Sequence, residues 1–135
     1  MELTLIRTQH YQMKKIIAEI EDLMKDEEPE ENLLLIALKI GTLSGILTMH
    51  LHFEDDYLYP ELLKHKEGEV KKTVSSFKDQ MGDLSIQYDQ FSDTFLKRPD
   101  TIMDVNNFFS ETKKMLSAVL TRIEHEEYGL FPMLG

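Results

Sequence analysis

Apolar side chains recur along this chain at alternating spacings of three and four, the interval that keeps one stripe of a helix turned toward a core. The first stripe runs Leu3, Ile6, His10, Met13, Ile17, Ile20, Met24, and the second Ile36, Ile40, Leu43, Leu47, His50, Glu54, Tyr57. The third continues Val70, Val74, Phe77, Met81, Leu84, Tyr88, Phe91, Phe95, and the fourth Phe108, Thr112, Met115, Val119, Arg122, Glu126. Three breaks separate them: the acidic run Asp26-Glu27-Glu28-Pro29-Glu30-Glu31, then His65-Lys66-Glu67-Gly68, then Lys97-Arg98-Pro99-Asp100. Four long helices joined by short connections predict an all-α fold, an antiparallel up-down-up-down four-helix bundle. Pro60 and Pro132 are expected where the second and fourth helices end or kink. Gly41 and Gly45, which have no turn dipeptide around them, are expected to allow close helix packing.

Five positions in these inward stripes are strongly polar: His10, His50, Glu54, Arg122 and Glu126. His10 lies about as far before the first break as His50 lies after it, and Met81 and Arg122 bracket the third break in a similar way. At a rise of about 1.5 Å per residue the groups should therefore meet at one level. A lone carboxylate buried there costs on the order of several kcal/mol, so it must be paired, protonated or bound to a cation. A repeat reinforces the pattern. His50-Leu51-His52-Phe53-Glu54-Asp55-Asp56-Tyr57-Leu58-Tyr59-Pro60 aligns with Arg122-Ile123-Glu124-His125-Glu126-Glu127-Tyr128-Gly129-Leu130-Phe131-Pro132. In each copy a polar residue is followed four positions later by a carboxylate, so both groups share a helix face. The first copy is a metal-binding pair, His50 with Glu54; the second has Arg122 in the histidine's place.

Length and composition narrow the chemistry. A chain of 135 residues, 41% of them apolar, is read as one domain spanning 1–135. With no cysteine, metal ligands must be His, Asp or Glu, and a reducing compartment is favoured. A formal net charge of -10 repels a phosphate backbone, so nucleic acid is not an expected partner. No basic segment precedes an apolar signal core, and the most apolar stretch, 33–49, contains Lys39 and two glycines. The expectation is a soluble cytoplasmic protein without a membrane partner.

These residues together resemble the hemerythrin-like family, the HHE cation-binding domain. That family's pattern is a His on helix one, His-x-x-x-Glu near the end of helix two followed by Leu-aromatic-Pro, a His on helix three, and a second His-x-x-x-Glu on helix four. His10 fits the first position, His50 and Glu54 the second with Leu58-Tyr59-Pro60 behind them, and Glu126 the last carboxylate with Leu130-Phe131-Pro132 behind it. The resemblance covers essentially the whole chain. Two positions depart from it: Met81 stands at the helix-three histidine, since Asp79-Gln80-Met81 aligns with Thr8-Gln9-His10, and Arg122 at the helix-four histidine. For intact members the resemblance implies a carboxylate-bridged pair of non-haem irons that binds oxygen or nitric oxide, or senses iron or redox state.

With two histidines replaced, the expectation here is at most one ion, held by His10, His50, Glu54 and Glu126. Two imidazoles and two carboxylates suit ferrous iron or manganese, and also zinc. Gln80 and Tyr57 are candidate supporting groups, and Met81 fills space. Against a metal, Arg122 forked between Glu54 and Glu126 occupies the second metal's place, and a divalent ion beside it overfills the chamber with positive charge unless the arginine turns outward. Asp55, Asp56 and Glu127 read as a solvated face, His52 and His125 as pointing elsewhere, and His65 as a loop residue. No enzyme is expected, because no activated nucleophile, phosphate loop or His-Glu-x-x-His signature occurs, and a bundle interior offers Glu54 and Glu126 no sugar groove. Two functions stay open: a carrier or sensor of oxygen, nitric oxide or iron, or a metal-free bundle serving as an interaction or dimerisation module. For the latter, Leu5, Leu34, Leu35 and Leu38 lie off the main stripe and either widen the core or mediate a homodimer.

Overall fold

The computed structural model describes residues 3–64, 68–97 and 102–134. Among these the chain is helical without strands. Helix α1 is Thr4–Met24 and α2 Leu33–Phe53, which runs on through a wide turn, Glu54–Leu58, into a last helical turn, Tyr59–Leu62. The third rod is α3, Gly68–Met81, followed by α4, Leu84–Phe91, and a second wide turn, Ser92–Leu96. The fourth is α5, Val105–Glu124, extended by the wide turn His125–Leu130 and a tight one, Phe131–Leu134. Asp104 opens α5, accepting a hydrogen bond from the Asn107 backbone N–H at 2.9 Å, the expected use of a short acidic side chain at a helix start. These rods form the four-helix bundle of the expected class, with α1 packed on α2 and α5, and α4 on α5.

The stripes face inward as the spacing requires. Every stripe residue from Leu3 to Met24 is buried, as is each from Phe108 to Glu126. The apolar interior divides into two clusters. One holds Met13, Ile17, Leu43, Leu47, Leu84, Tyr88, Phe108 and Val119, and the other Ile6, Leu58, Tyr59, Val70, Val74, Phe77, Leu130 and Phe131. On α1, His10 falls between Ile6 and Met13; on the second rod His50 and Glu54 fall between Leu47 and Leu58; on the fourth Arg122 and Glu126 fall between Val119 and Leu130. The polar residues thus occupy the level that separates the two oily layers.

Three expectations are sharpened or corrected. First, Pro60 and Pro132 stand in the last turns of their rods, Tyr59–Leu62 and Phe131–Leu134, and each follows a wide turn in which carbonyls bond five residues ahead. A proline ring set in regular helix presses on the carbonyl four residues back and donates no N–H, and the wider turn accommodates both defects. The extra residue this inserts rotates Tyr57 out to 68% exposure and sends Leu58 and Tyr59 inward. Second, the third rod is broken in two at Gly82 and Asp83. A Cβ on Gly82 would collide with the Lys78 carbonyl oxygen, to which the Gly82 N–H donates at 2.9 Å. Third, an added Cβ on Gly41 or Gly45 would meet nothing within 4 Å, so neither glycine serves packing inside the bundle. The breaks expected at His65-Lys66-Glu67 and Arg98-Pro99-Asp100 lie outside the described residues.

Candidate metal centre

The wide turn on the second rod starts at Glu54, and the one on the fourth starts one residue before Glu126. Turns of this kind recur at functional sites because they re-aim side chains that a regular helix would point along its surface. Here the ligand atoms of His10, His50, Glu54 and Glu126, all buried, lie within 4.8 Å of one another. His10 Nε2 is 3.1 Å from His50 Nε2 and 3.0 Å from Glu126 Oε1, while His50 Nε2 is 3.1 Å from Glu54 Oε2. The His10 ring is also stacked on Phe131, with centroids 5.7 Å apart and planes 4° from parallel.

The opposite edges of the two imidazoles fix their tautomers. His10 Nδ1 is 2.7 Å from Glu127 Oε1, and His50 Nδ1 is 2.7 Å from Gln9 Oε1. Both partners are oxygens that accept, so both Nδ1 atoms carry hydrogen, and in neutral rings both Nε2 lone pairs face the chamber. Two lone pairs 3.1 Å apart repel unless a proton or a cation lies between them. An outer oxygen on the far nitrogen is the usual support of a metal-binding histidine. Glu54 Oε1 and Oε2, Glu126 Oε1 and Arg122 Nε are buried and lack a hydrogen bond of acceptable geometry, although ion-pair neighbours stand close by. Convergent imidazole lone pairs and unbonded carboxylate oxygens are the donor set of a divalent cation, and the residues present fit one.

Arg122 lies on the other side of the two carboxylates. Its Nη2 is 3.2 Å from Glu54 Oε1 and 2.7 Å from Asp55 Oδ1, its Nε is 3.6 Å from Glu126 Oε2, and its Nη1 donates to the Met81 carbonyl at 3.4 Å. The guanidinium also sits over the Tyr59 ring, 5.2 Å from its centroid, and the Tyr59 hydroxyl donates to Glu126 Oε2. Each carboxylate therefore turns one oxygen toward the histidines and the other toward the arginine side.

Burial by itself lowers the His50 pKa, but Glu126 and Glu54 more than reverse this and raise it to about 9. Burial, reinforced by the Glu126 charge, pushes Glu54 up to about 8. Burial also opposes ionisation of Glu126, yet hydrogen bonding from His10 and His50, with the nearby guanidinium, holds it well below the usual carboxylate range. Burial raises the Tyr59 hydroxyl, and the two glutamates raise it further. Without a metal, His50 and Glu54 therefore hold protons at neutral pH.

The structure brings together His10, His50, Glu54 and Glu126, with Arg122 beside them. Gln80 is exposed and donates instead to Ser76 Oγ at 3.4 Å, and Tyr57 is exposed, so neither supports the site. Met81 is half-buried and contributes its carbonyl, freed where the third rod breaks, rather than its sulfur. Asp55 and Glu127, expected in solvent, clamp Arg122 and His10, whereas Asp56 stays exposed beside His52 at 3.5 Å. His125 is exposed, with its ring edge on Phe77, and His65 lies outside the described residues. The two unforeseen carboxylates change the charge balance. Glu54, Glu126, Asp55 and Glu127, set against Arg122 and Arg7, whose Nε is 3.7 Å from Glu127, leave two negative charges when the histidines are neutral. A divalent ion cancels them with the arginine still turned inward, contrary to the expectation of excess positive charge.

The family model described as hemerythrin HHE cation binding domain matches residues 1–134. Comparison with curated proteins and with solved structures finds no match.

Proposed function

The chain belongs to the hemerythrin HHE cation-binding family, and from that premise we propose that it holds one divalent transition-metal ion between His10, His50, Glu54 and Glu126. Iron is the first choice, with manganese and zinc served by the same donors. The protein acts as a carrier or sensor of a small diatomic gas, oxygen or nitric oxide, or of iron itself, in the cytoplasm and without enzymatic turnover. The observation that carries this reading is the pair of imidazole Nε2 atoms, turned inward by Glu127 and Gln9, beside buried carboxylate oxygens that have no hydrogen bond of acceptable geometry.

Bound iron would supply reversible coordination of a diatomic molecule. The protein's own residues do the rest. Glu127 and Gln9 hold the rings in register, Tyr59 fixes Glu126, and Arg122 balances the carboxylate oxygens that face away from the histidines. A cavity of about 10 Å³ adjoins His50, Arg122 and Glu126 and is walled by Met13, Leu47, Leu84, Val119 and Ile123. One water needs roughly 10–15 Å³ of such space, so the cavity is at most water-sized. That scale leaves no room for an organic substrate.

A second reading rests on Arg122: its ion pairs with Glu54, Asp55 and Glu126 let the fold exist metal-free as an interaction module. Metal analysis of protein purified without chelator, with optical spectra taken with and without oxygen or nitric oxide, separates the two. One ion per chain, lost in His50→Ala, supports the metal reading. No metal in the parent protein, and no uptake when iron, manganese or zinc is offered, sinks it.

A further inference from the structure

Helix α2 is apolar on all sides, yet only one side is covered. Its inward residues Ile36, Ile40, Leu43 and Leu47 are buried, while Leu34 is 64%, Leu38 70%, Met49 63% and Tyr57 68% exposed, with Leu35 and Phe53 close to half. Only 33% of the most apolar window of this rod is buried. A helix apolar all round is ordinarily covered all round. We propose that the outward face of α2 pairs with the same face of a second copy of this chain, antiparallel about a two-fold axis beside Gly45 and Ile46.

Side-chain size along the face has the symmetry such a pair requires. Leu34 and Leu38 are large, Gly41, Thr42 and Gly45 small, and Met49, Phe53 and Tyr57 large again. An antiparallel pairing centred between Gly45 and Ile46 sets Leu34 against Tyr57, Leu38 against Phe53 and Thr42 against Met49. A two-fold interface is self-complementary in this way. Gly41 and Gly45 have no neighbour within 4 Å of an added Cβ, and a glycine inside a helix weakens it relative to alanine. At the crossing of two helices that loss has a use, because missing side chains let the backbones approach.

Charge and area favour the same occupant. With a net charge of -10, two copies repel over most of their surface. Between Leu33 and Leu51 Lys39 is the one Lys, Arg, Asp or Glu, and its ammonium is held by Glu19 at 3.0 Å; at the Tyr57 end the exposed Asp56 stands 3.5 Å from His52, so the central part of this face admits another acidic chain without opposing charges. At roughly 200 Å² for a whole large side chain, the six exposed apolar residues leave on the order of 700 Å² open per copy. A symmetric pair that buried all of it would cover about 1,400 Å², within the roughly 1,200–2,000 Å² of a stable interface.

Sedimentation of the full-length chain across the micromolar range tests this, the expected mass being twice 15.8 kDa. Leu38→Glu and, separately, Gly45→Leu should weaken the dimer by roughly a hundredfold or more, with helix content unchanged because neither side chain touches the core. The chain has no cysteine, so mixing a Leu38→Cys chain with a Phe53→Cys chain under mild oxidation should give mainly the mixed disulfide. A parent protein monomeric at every concentration overturns the proposal, as does a dimer indifferent to both substitutions. Leu38→Cys chains that cross-link preferentially to each other refute the antiparallel pairing. A monomer that instead binds neutral phosphatidylcholine vesicles assigns the face to lipid and refutes the second copy.

Discussion

Replacing Arg122 by methionine keeps most of the side-chain length and removes the positive charge. The guanidinium is 2% exposed and faces two fully buried carboxylates, with nitrogen–oxygen distances of 3.2 Å to Glu54 and 3.6 Å to Glu126. Removing one partner of a buried ion pair costs about 3–5 kcal/mol, because the charge left behind has no water to turn to. The half-buried Asp55 keeps some access to solvent and adds less. For a chain of 135 residues, an unfolding entropy of about 2.1 cal/mol/K per residue turns that cost into a fall in Tm of roughly 10–18 °C. Differential scanning calorimetry in chelator should register this shift. Saturation with ferrous iron, manganese or zinc should recover part of it, since a ligand at a thousand times its dissociation constant contributes about 4 kcal/mol. If the Arg122→Met protein in chelator melts within a few degrees of the parent, the guanidinium does not compensate the glutamates and the account of the chamber fails.

His50→Ala should abolish stoichiometric metal binding while leaving a folded bundle, which elemental analysis and circular dichroism together would check. Either Glu127→Gln or Gln9→Leu loosens one imidazole without touching a ligand, and each should weaken metal affinity about 10–100-fold in a competition titration with a coloured chelator. Metal affinity should rise with pH. His50, at about 9, and Glu54, at about 8, are protonated at neutral pH without metal, so binding displaces one to two protons, worth roughly ten- to a hundredfold in affinity per pH unit. Calorimetry in buffers of different ionisation enthalpy would count those protons, and a pH-independent affinity would contradict the assignment. The metal-free protein should lose stability as pH rises. Both pKa values are higher folded than unfolded, so the His50 contribution is complete below about 6.5 and gone above about 9, and that of Glu54 fades between about 4.5 and 8. Tm measured in chelator from pH 6 to 9 should fall, and a rise would refute the shifts.

The bundle was legible because four stripes of alternating three and four residues admit few other packings, and the level of the site followed from loop symmetry. What escaped is local. Periodicity assumes a regular helix, and the wide turns before Pro60 and Pro132 add a residue, so Tyr57 moved outward and Tyr59 inward. Gln80 was the right kind of residue in the wrong copy: its equivalent, Gln9, holds His50, whereas the third rod breaks at Gly82 and leaves Gln80 in solvent. The repeat did carry a signal for Asp55 and Glu127. Both follow the inward carboxylate directly, and each clamps a cationic or imidazole group of another rod.

That correspondence bears on why one half of the site ends in an arginine. An ion held only by side chains leaves when its concentration falls, and two buried glutamates then face each other without compensation. A guanidinium carried by the chain cannot leave. With Arg122 facing one oxygen of each carboxylate, the carboxylate pair is partly neutralised whether or not an ion occupies the histidine side, and the remaining mismatch is met by protons on His50 and Glu54. On the proposed function the fold would thereby be uncoupled from metal supply, while the histidine side would stay free to exchange a cation for protons. Such uncoupling suits a reporter of metal or gas better than a structural ion, and it requires the metal-free state to be folded near neutral pH. A chelated parent protein that unfolds at pH 7 and 25 °C would contradict this reasoning, because Arg122 would then not be performing the substitution the geometry implies.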